Sequence, residues 1–237
     1  MYKEIYFSEI DSTNKYLKIH ENSLENFTFV RSDYQTLGKG RNERIWNSNK
    51  GDNLLFSLLI KDAHLVNKGG LLSLIASISI AQFLEQQNLK DIWVKWPNDV
   101  YVGDKKICGI LLEGQVPNYV IIGIGLNVNQ IDFIGEYRTT PTSIQKELGK
   151  NTNIGSIKDE IYSLLINNLN NLETGFNGYL KYFNNHNYLN NKEVSFIKDN
   201  TKLVGKVIGV DENYNLIIKS NNQKYRISSG EITILNK

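Results

Sequence analysis

A chain of 237 residues with 41% hydrophobic and 11% aromatic side chains has material for one sizeable core, with or without a small appendage. A net charge of +2 without a long basic run gives no electrostatic case for a nucleic-acid partner, and the single cysteine, Cys108, excludes an internal disulfide and a cysteine metal cluster. Met1–Glu9 lacks the apolar run of a signal peptide, and Leu71–Leu84 is broken by serines and too short for a bilayer, so a soluble cytoplasmic protein without membrane contact is expected.

Met1–Ser8 reads as a strand with Ile5 and Phe7 on one face. Asp11-Ser12-Thr13-Asn14 then offers N-caps for a helix through about His20; the same turn can offer backbone N–H groups and hydroxyls to a ligand. Phe27–Ser32 is a second strand. It feeds a loop in which Gly38 and Gly40 flank Lys39, with Arg41, Arg44 and Trp46 following. Paired glycines allow close backbone approach, and three cations suit an anionic ligand, although a flexible basic surface loop has the same composition. Glu43 occupies the third glycine position of a dinucleotide fingerprint, and the Gly-Lys-Ser/Thr ending of a P-loop is missing.

Leu54–Ile60 is almost wholly apolar and reads as a central strand. Gly70–Gln87 is the longest helical pattern, apolar over most of its circumference. Lys95–Glu113 then reads as strand, turn, strand, turn, strand, with Trp93–Trp96, Val100–Val102 and Ile107–Glu113 as the strands. Lys95, Asn98 and Asp99 cluster where the first of these ends, and Lys105-Lys106 stands directly before the apolar run. A lysine there can be held at a pocket rim or simply face solvent. Tyr119–Asn129 is a strand carrying Gly123, Gly125 and Asn127, open to a core bulge or a ligand contact.

Asp132–Lys150 reads as a loop with a helical turn at Ser143–Leu148. Ile154–Gly175 is an amphipathic helix, Phe176–Phe183 a short helix and Tyr188–Lys192 a polar linker. From Glu193 the pattern changes to short strands at Val194–Ile197, Leu203–Val210, Leu216–Lys219, Tyr225–Ile227 and Ile232–Leu235, which suggests a small β-barrel packed on its neighbour. His20, His64 and His186 have no metal or triad spacing, and no resident metal is expected.

In this order, several segments resemble the biotin–protein ligases. Ser12-Thr13-Asn14 is similar to that family's Ser-Thr-Asn segment. Gln35 with Gly38–Trp46 resembles its GRGRxxRxW loop, and Lys95–Asp99 its KWPND motif. Lys106–Glu113 resembles KxxGILxE, and Gly123–Asn129 the GxGxN strand. Lys39 replaces the loop's first arginine, keeping the charge without the planar fork. The resemblance implies an α+β fold: a mixed β-sheet packed with helices, of the class II aminoacyl-tRNA synthetase-like biotin/lipoate ligase type, over residues 1–188, and an SH3-like β-barrel over residues 189–237. It also implies a monofunctional type without the winged-helix DNA-binding domain, and so no DNA partner.

The implied chemistry is ATP-dependent activation of biotin as biotinoyl-5′-AMP, then transfer to a lysine of the carrier domain of a biotin-dependent carboxylase. By the same resemblance Lys106 and Arg41 are the catalytic candidates. Ser12, Thr13, Asn14, Gln35, Lys39, Gly40, Arg41, Lys106 and Gly109 are the biotin candidates. Arg44, Trp46, Lys95, Asn98, Lys106 and Asn127 are those for ATP and adenylate. Mg²⁺ would arrive with ATP. A homodimer joined sheet to sheet stays open, with Tyr119–Asn129 placed near the sheet edge. The rival readings are a lipoate or octanoate ligase, for which Ser12-Thr13-Asn14-Gln35 is too polar a set, and a non-catalytic biotin or carrier-binding module.

Overall fold

The computed structural model describes residues 3–198, 201–228, 230 and 232–235. Its first strand, β1 (Glu4–Phe7), leads into α1 (Thr13–His20), whose first turn is capped by Ser12. The next two strands, β2 (Phe29–Ser32) and β3 (Asn53–Ile60), are followed by the short α2 (Ala63–Val66) and the long α3 (Gly70–Gln86). Four strands come next: β4 (Ile92–Lys95), β5 (Asp99–Val102), β6 (Lys105–Gln115) and β7 (Tyr119–Asn127). The expected helical turn is α4 (Ile144–Leu148), and α5 (Ile154–Asn170) and α6 (Phe176–Asn185) follow it. Among the described residues no helix is long and apolar enough to cross a membrane.

These strands form one mixed seven-stranded sheet in the order β1-β2-β3-β7-β6-β5-β4, with β1 and β2 parallel and all other neighbours antiparallel. The two-residue period of a strand then divides labour between the faces. On β7 the even positions Val120, Ile122, Ile124 and Leu126 join the main core with α3. The odd positions Tyr119 and Ile121 pack with Leu17 of α1, in a smaller core on the other face. Further along that second face the odd positions are Gly123, beneath Asn14 in the first turn of α1, and then Gly125 and Asn127. Helix α3 is apolar all round because it is covered all round: the sheet lies on one side, α5 and α6 on the other.

Several expectations need correction. Strand β7 is the fourth of seven, flanked by β3 and β6, so Tyr119–Asn129 does not lie near an edge; the edges are β1 and β4. Helix α5 stops at Asn170 rather than running to Gly175, because the following chain makes a turn closed by Gly175 N–H donating to the Asn171 carbonyl. The segment read as a polar linker is anchored at its start: Tyr188 and Leu189 are buried, and Tyr188 N–H donates to the Val94 carbonyl at 3.0 Å.

The C-terminal strands are β8 (Glu193–Lys198), β9 (Thr201–Val210), β10 (Leu216–Ser220), β11 (Gln223–Ile227) and β12 (Thr233–Ile234). They form an open sheet, β11-β10-β9-β8-β12, and the expected barrel does not close. Strand β12 is only two residues long and, among the described residues, pairs with β8 alone. Its Thr233 hydroxyl accepts from Arg138, in the loop between β7 and α4, at 3.1 Å. The inner face of the open sheet still joins the main core through Val194, Phe196, Val207, Leu216 and Ile218. Trp96 fastens the two sheets: its indole N–H donates to the Tyr214 carbonyl at 2.8 Å, and both residues are 2% exposed.

Trp96→Phe keeps the apolar ring and leaves that carbonyl without its donor. It should lower unfolding free energy by about 1–3 kcal/mol in urea titration.

Candidate active site

The glycine-bearing part of the second sheet face is the floor of a cavity of about 540 Å³. Gly109 of β6 and Gly125 of β7 are direct cross-strand partners, and Leu111 pairs with Gly123. The glycines are there because other groups occupy the space of their missing side chains. A Cβ on Gly123 would stand 2.3 Å from Asn14 Oδ1, and one on Gly125 would stand 2.6 Å from the Trp46 ring. A Cβ on Gly109 would meet the same indole at 2.8 Å, so Trp46 lies directly over bare backbone.

At one end of the floor a polar network spans four elements. Gln35 Oε1 accepts from the Thr13 main-chain N–H at 2.8 Å. The Thr13 and Ser57 hydroxyls are 2.7 Å apart, Ser57 donates to Asn14 Oδ1 at 2.5 Å, and Asn14 Nδ2 donates to Glu113 at 2.7 Å. Ser12, Thr13, Asn14 and Ser57 are all buried, so these polar groups would be costly without one another.

At the other end stands Lys106, and a bulge is what brings it in. Val100 pairs with Cys108 and Tyr101 with Lys106, so β6 advances two residues where β5 advances one. The extra residue, Ile107, puts Lys106 on the same face as Gly109, whereas strict alternation would have sent it into the core beside Cys108. Its ammonium pairs with Asp99 at 2.7 Å and lies 5.3 Å from the Trp46 ring centroid. Its backbone is pinned by Thr140 and Thr142. The neighbouring Lys105 turns away and pairs with Glu147 instead. Cys108 is fully buried and its thiol is pushed well above the usual range by that burial, so it is no nucleophile.

The rim is basic and aromatic. Arg41 reaches Asn98 Oδ1 in the β4–β5 turn and the Gly230 carbonyl between β11 and β12, both at 3.4 Å. Asn98 is itself held by Ile110, donating to its carbonyl at 2.6 Å. Lys95 donates to the Tyr101 hydroxyl at 3.3 Å; burial, then the nearby Asp99 charge, raise that phenol's pKa and keep it neutral. The loop from Gly38 to Trp46 is folded back on itself, with Trp46 N–H donating to Gly38 O and Gly40 N–H to Arg44 O. Asn127 Nδ2 donates to the Thr142 carbonyl at 2.9 Å, while its Oδ1 is buried without a partner among the described residues.

All the residues singled out from sequence line this cavity: Ser12, Thr13, Asn14, Gln35, Lys39, Gly40, Arg41, Arg44, Trp46, Lys95, Asn98, Lys106, Gly109 and Asn127. The sequence reading missed other residues. Ser57, behind the lining in the polar network, was hidden as the lone polar residue of the apolar run Leu54–Ile60, and its position opposite Gly123 is its only signal. Phe133, Tyr137, Arg138 and Thr139 line the cavity from a loop without periodicity, and Gly230 and Ile232 reach it from the C-terminal unit. Among the described residues no three His, Cys, Asp or Glu side chains form a metal-binding group.

Residues 6–127, more than half of the chain, match the Biotin/lipoate A/B protein ligase family. The chain belongs to that family. Among ligases of the family, the Bifunctional ligase/repressor BirA of Bacillus subtilis is 29% identical over 238 residues, covering 97% of this chain and 73% of that protein. The BirA protein of Escherichia coli is 36% identical over 123 residues, which span 50% of this chain and 38% of that one. The biotin protein ligase from Aquifex aeolicus, solved in complex with biotin and ATP, superimposes with a TM-score of 0.85 at 28% identity over the full length of both chains.

Gly123→Ala would force Asn14 out of the network and should cost about 1–3 kcal/mol of stability by urea unfolding. Gly178→Ala, in α6 with nothing within 4 Å of the added methyl, should instead stabilise the protein by about 0.5–1 kcal/mol.

Proposed function

We propose that this cavity joins biotin to ATP and then to a protein lysine, with the residue roles given below. The chain is an ATP- and biotin-dependent ligase of its family. The observation that carries the residue-level reading is the bulge that aims Lys106 into a cavity with a satisfied neutral polar end and a cationic rim. In the first step the biotin carboxylate attacks the α-phosphate of ATP, forming biotinoyl-5′-AMP and releasing pyrophosphate. Two anions must meet, and charge grows on the phosphoryl oxygens. A preorganised ammonium is suited to that charge because its position is fixed before the reaction begins.

Lys106 bridges carboxylate and α-phosphate, exchanging its contact with Asp99 for the substrates. Ser12, Thr13, Asn14 and Gln35, with the Gly109 backbone, hold the biotin head group. Lys39, Gly40 and Arg41 close over biotin and the adenylate. Arg44, Trp46, Lys95, Asn98 and Asn127 serve the nucleotide, and the flat indole over Gly109 and Gly125 supports a stacking role. Mg²⁺ comes with ATP, held by phosphates and water. In the second step a lysine amine of a biotin carboxyl carrier domain attacks the mixed anhydride and AMP leaves. The Gly38–Trp46 loop shields that anhydride from water in between. We assign catalysis to residues 1–188 and a supporting unit to 189–237, whose Gly230 carbonyl meets Arg41 of the lid.

Biotin-dependent ATP–pyrophosphate exchange tests the reading. Lys106→Ala should lose about a hundredfold or more in exchange rate. Exchange with lipoate but not biotin would move the substrate to the sister branch of the family. Biotin binding without any exchange would leave only a binding module.

A further inference from the structure

The polar network beneath the biotin head group has a direction, and one residue sets it. A carboxylate only accepts, so Glu113 fixes which end of the Asn14 amide faces it: Nδ2 donates to Glu113 at 2.7 Å, and Oδ1 must face Ser57. Ser57 then has to donate to that oxygen, at 2.5 Å. A hydroxyl has a single proton, so across the 2.7 Å contact with Thr13 it is Thr13 that donates and Ser57 that accepts. The Thr13 hydroxyl also lies 3.1 Å from Gln35 Oε1, but that contact is the longer one, and Gln35 Oε1 already accepts from Thr13 N–H at 2.8 Å. With its proton committed to Ser57, Thr13 Oγ1 presents lone pairs only. Gln35, with its oxygen committed, keeps Nε2 as a donor. Thr13 and Gln35 both line the cavity, whereas Glu113 and Ser57 do not.

We propose that Glu113 and Ser57 are positioning residues that set the hydrogen-bond polarity of the head-group site, making Thr13 Oγ1 an acceptor beside the Gln35 donor. This rests on the assignment of that end of the cavity to biotin. A ureido ring needs that pair, an acceptor for its N–H and a donor for its carbonyl. With a glutamine at position 113 the amide partner can donate as well as accept. Asn14 is then free to turn over, Ser57 can donate to Thr13, and the Thr13 proton can point into the cavity against the ureido N–H.

The test is a double-mutant cycle on biotin KM in ATP–pyrophosphate exchange. Glu113→Gln should raise biotin KM about tenfold, the size of one mispaired hydrogen bond, and leave ATP KM within about twofold. In a Thr13→Val background, which has no hydroxyl left to orient, the same Glu113→Gln change should add less than about twofold. Ser57→Ala interrupts the relay at its middle and should show the same non-additivity with Thr13→Val, which keeps the test open should Glu113→Gln not fold. Additive effects, equal rises in both KM values, or an unchanged biotin KM would overturn the positioning role. Wild-type protein without biotin-dependent exchange would instead overturn the assignment of the cavity.

Discussion

The molecule depends on one register: β6 and β7 lie antiparallel with Gly109 opposite Gly125 and Leu111 opposite Gly123. One face of this pair is a continuous apolar surface that α3 covers. On the other face Gly109, Gly123 and Gly125 carry no side chains, so that an indole and an asparagine amide can approach the backbone. A slip by one residue would put glycine against α3 and isoleucine in the cavity, losing core and site together. The strands that hold the fold together therefore also hold the site, and the site inherits their rigidity.

On that rigid floor two kinds of polar group are kept apart. The buried end is neutral where it faces the cavity and closed in hydrogen bonds, with its one carboxylate, Glu113, at the far end of the chain of contacts. The cationic end is at the rim, where Lys106, Arg41 and Lys95 each have a partner that leaves the charge partly in solvent. Full burial of an ammonium would have cost several kcal/mol without a matched ion, whereas an ion pair that keeps some contact with solvent costs less to exchange. Lys106 is thus held in place by a contact it can give up.

Much of this was legible in the sequence because it lies in contiguous runs. The Ser12–Asn14 turn, the glycine loop and the Lys95–Glu113 hairpins each state their residues within a few positions. What the sequence could not express is juxtaposition. Lys105 and Lys106 are chemically identical neighbours, and only the bulge at Ile107 decides which of them enters the cavity. Ser57 is one hydroxyl in an apolar strand until Gly123 is seen beside it. The alternating C-terminal strands suggest a barrel, since alternation reports which faces are apolar but not whether edge strands meet; among the described residues β12 pairs with β8, and β11 stays at the opposite edge.

Helix α3 carries a consequence for how the chain can be divided. The family match ends at residue 127, and the chain up to that point contains every strand of the first sheet. It does not contain α5 or α6, which cover the side of α3 that faces away from the sheet. Leu72, Ile75, Ala76, Phe83 and the rest of α3's apolar circumference would then be half bare. A fragment cut at the end of the match would have its strands complete and its longest helix adhesive, prone to self-association before it could be purified. The smallest autonomous unit of this protein is larger than its family signature, and it is the helix that sets the difference.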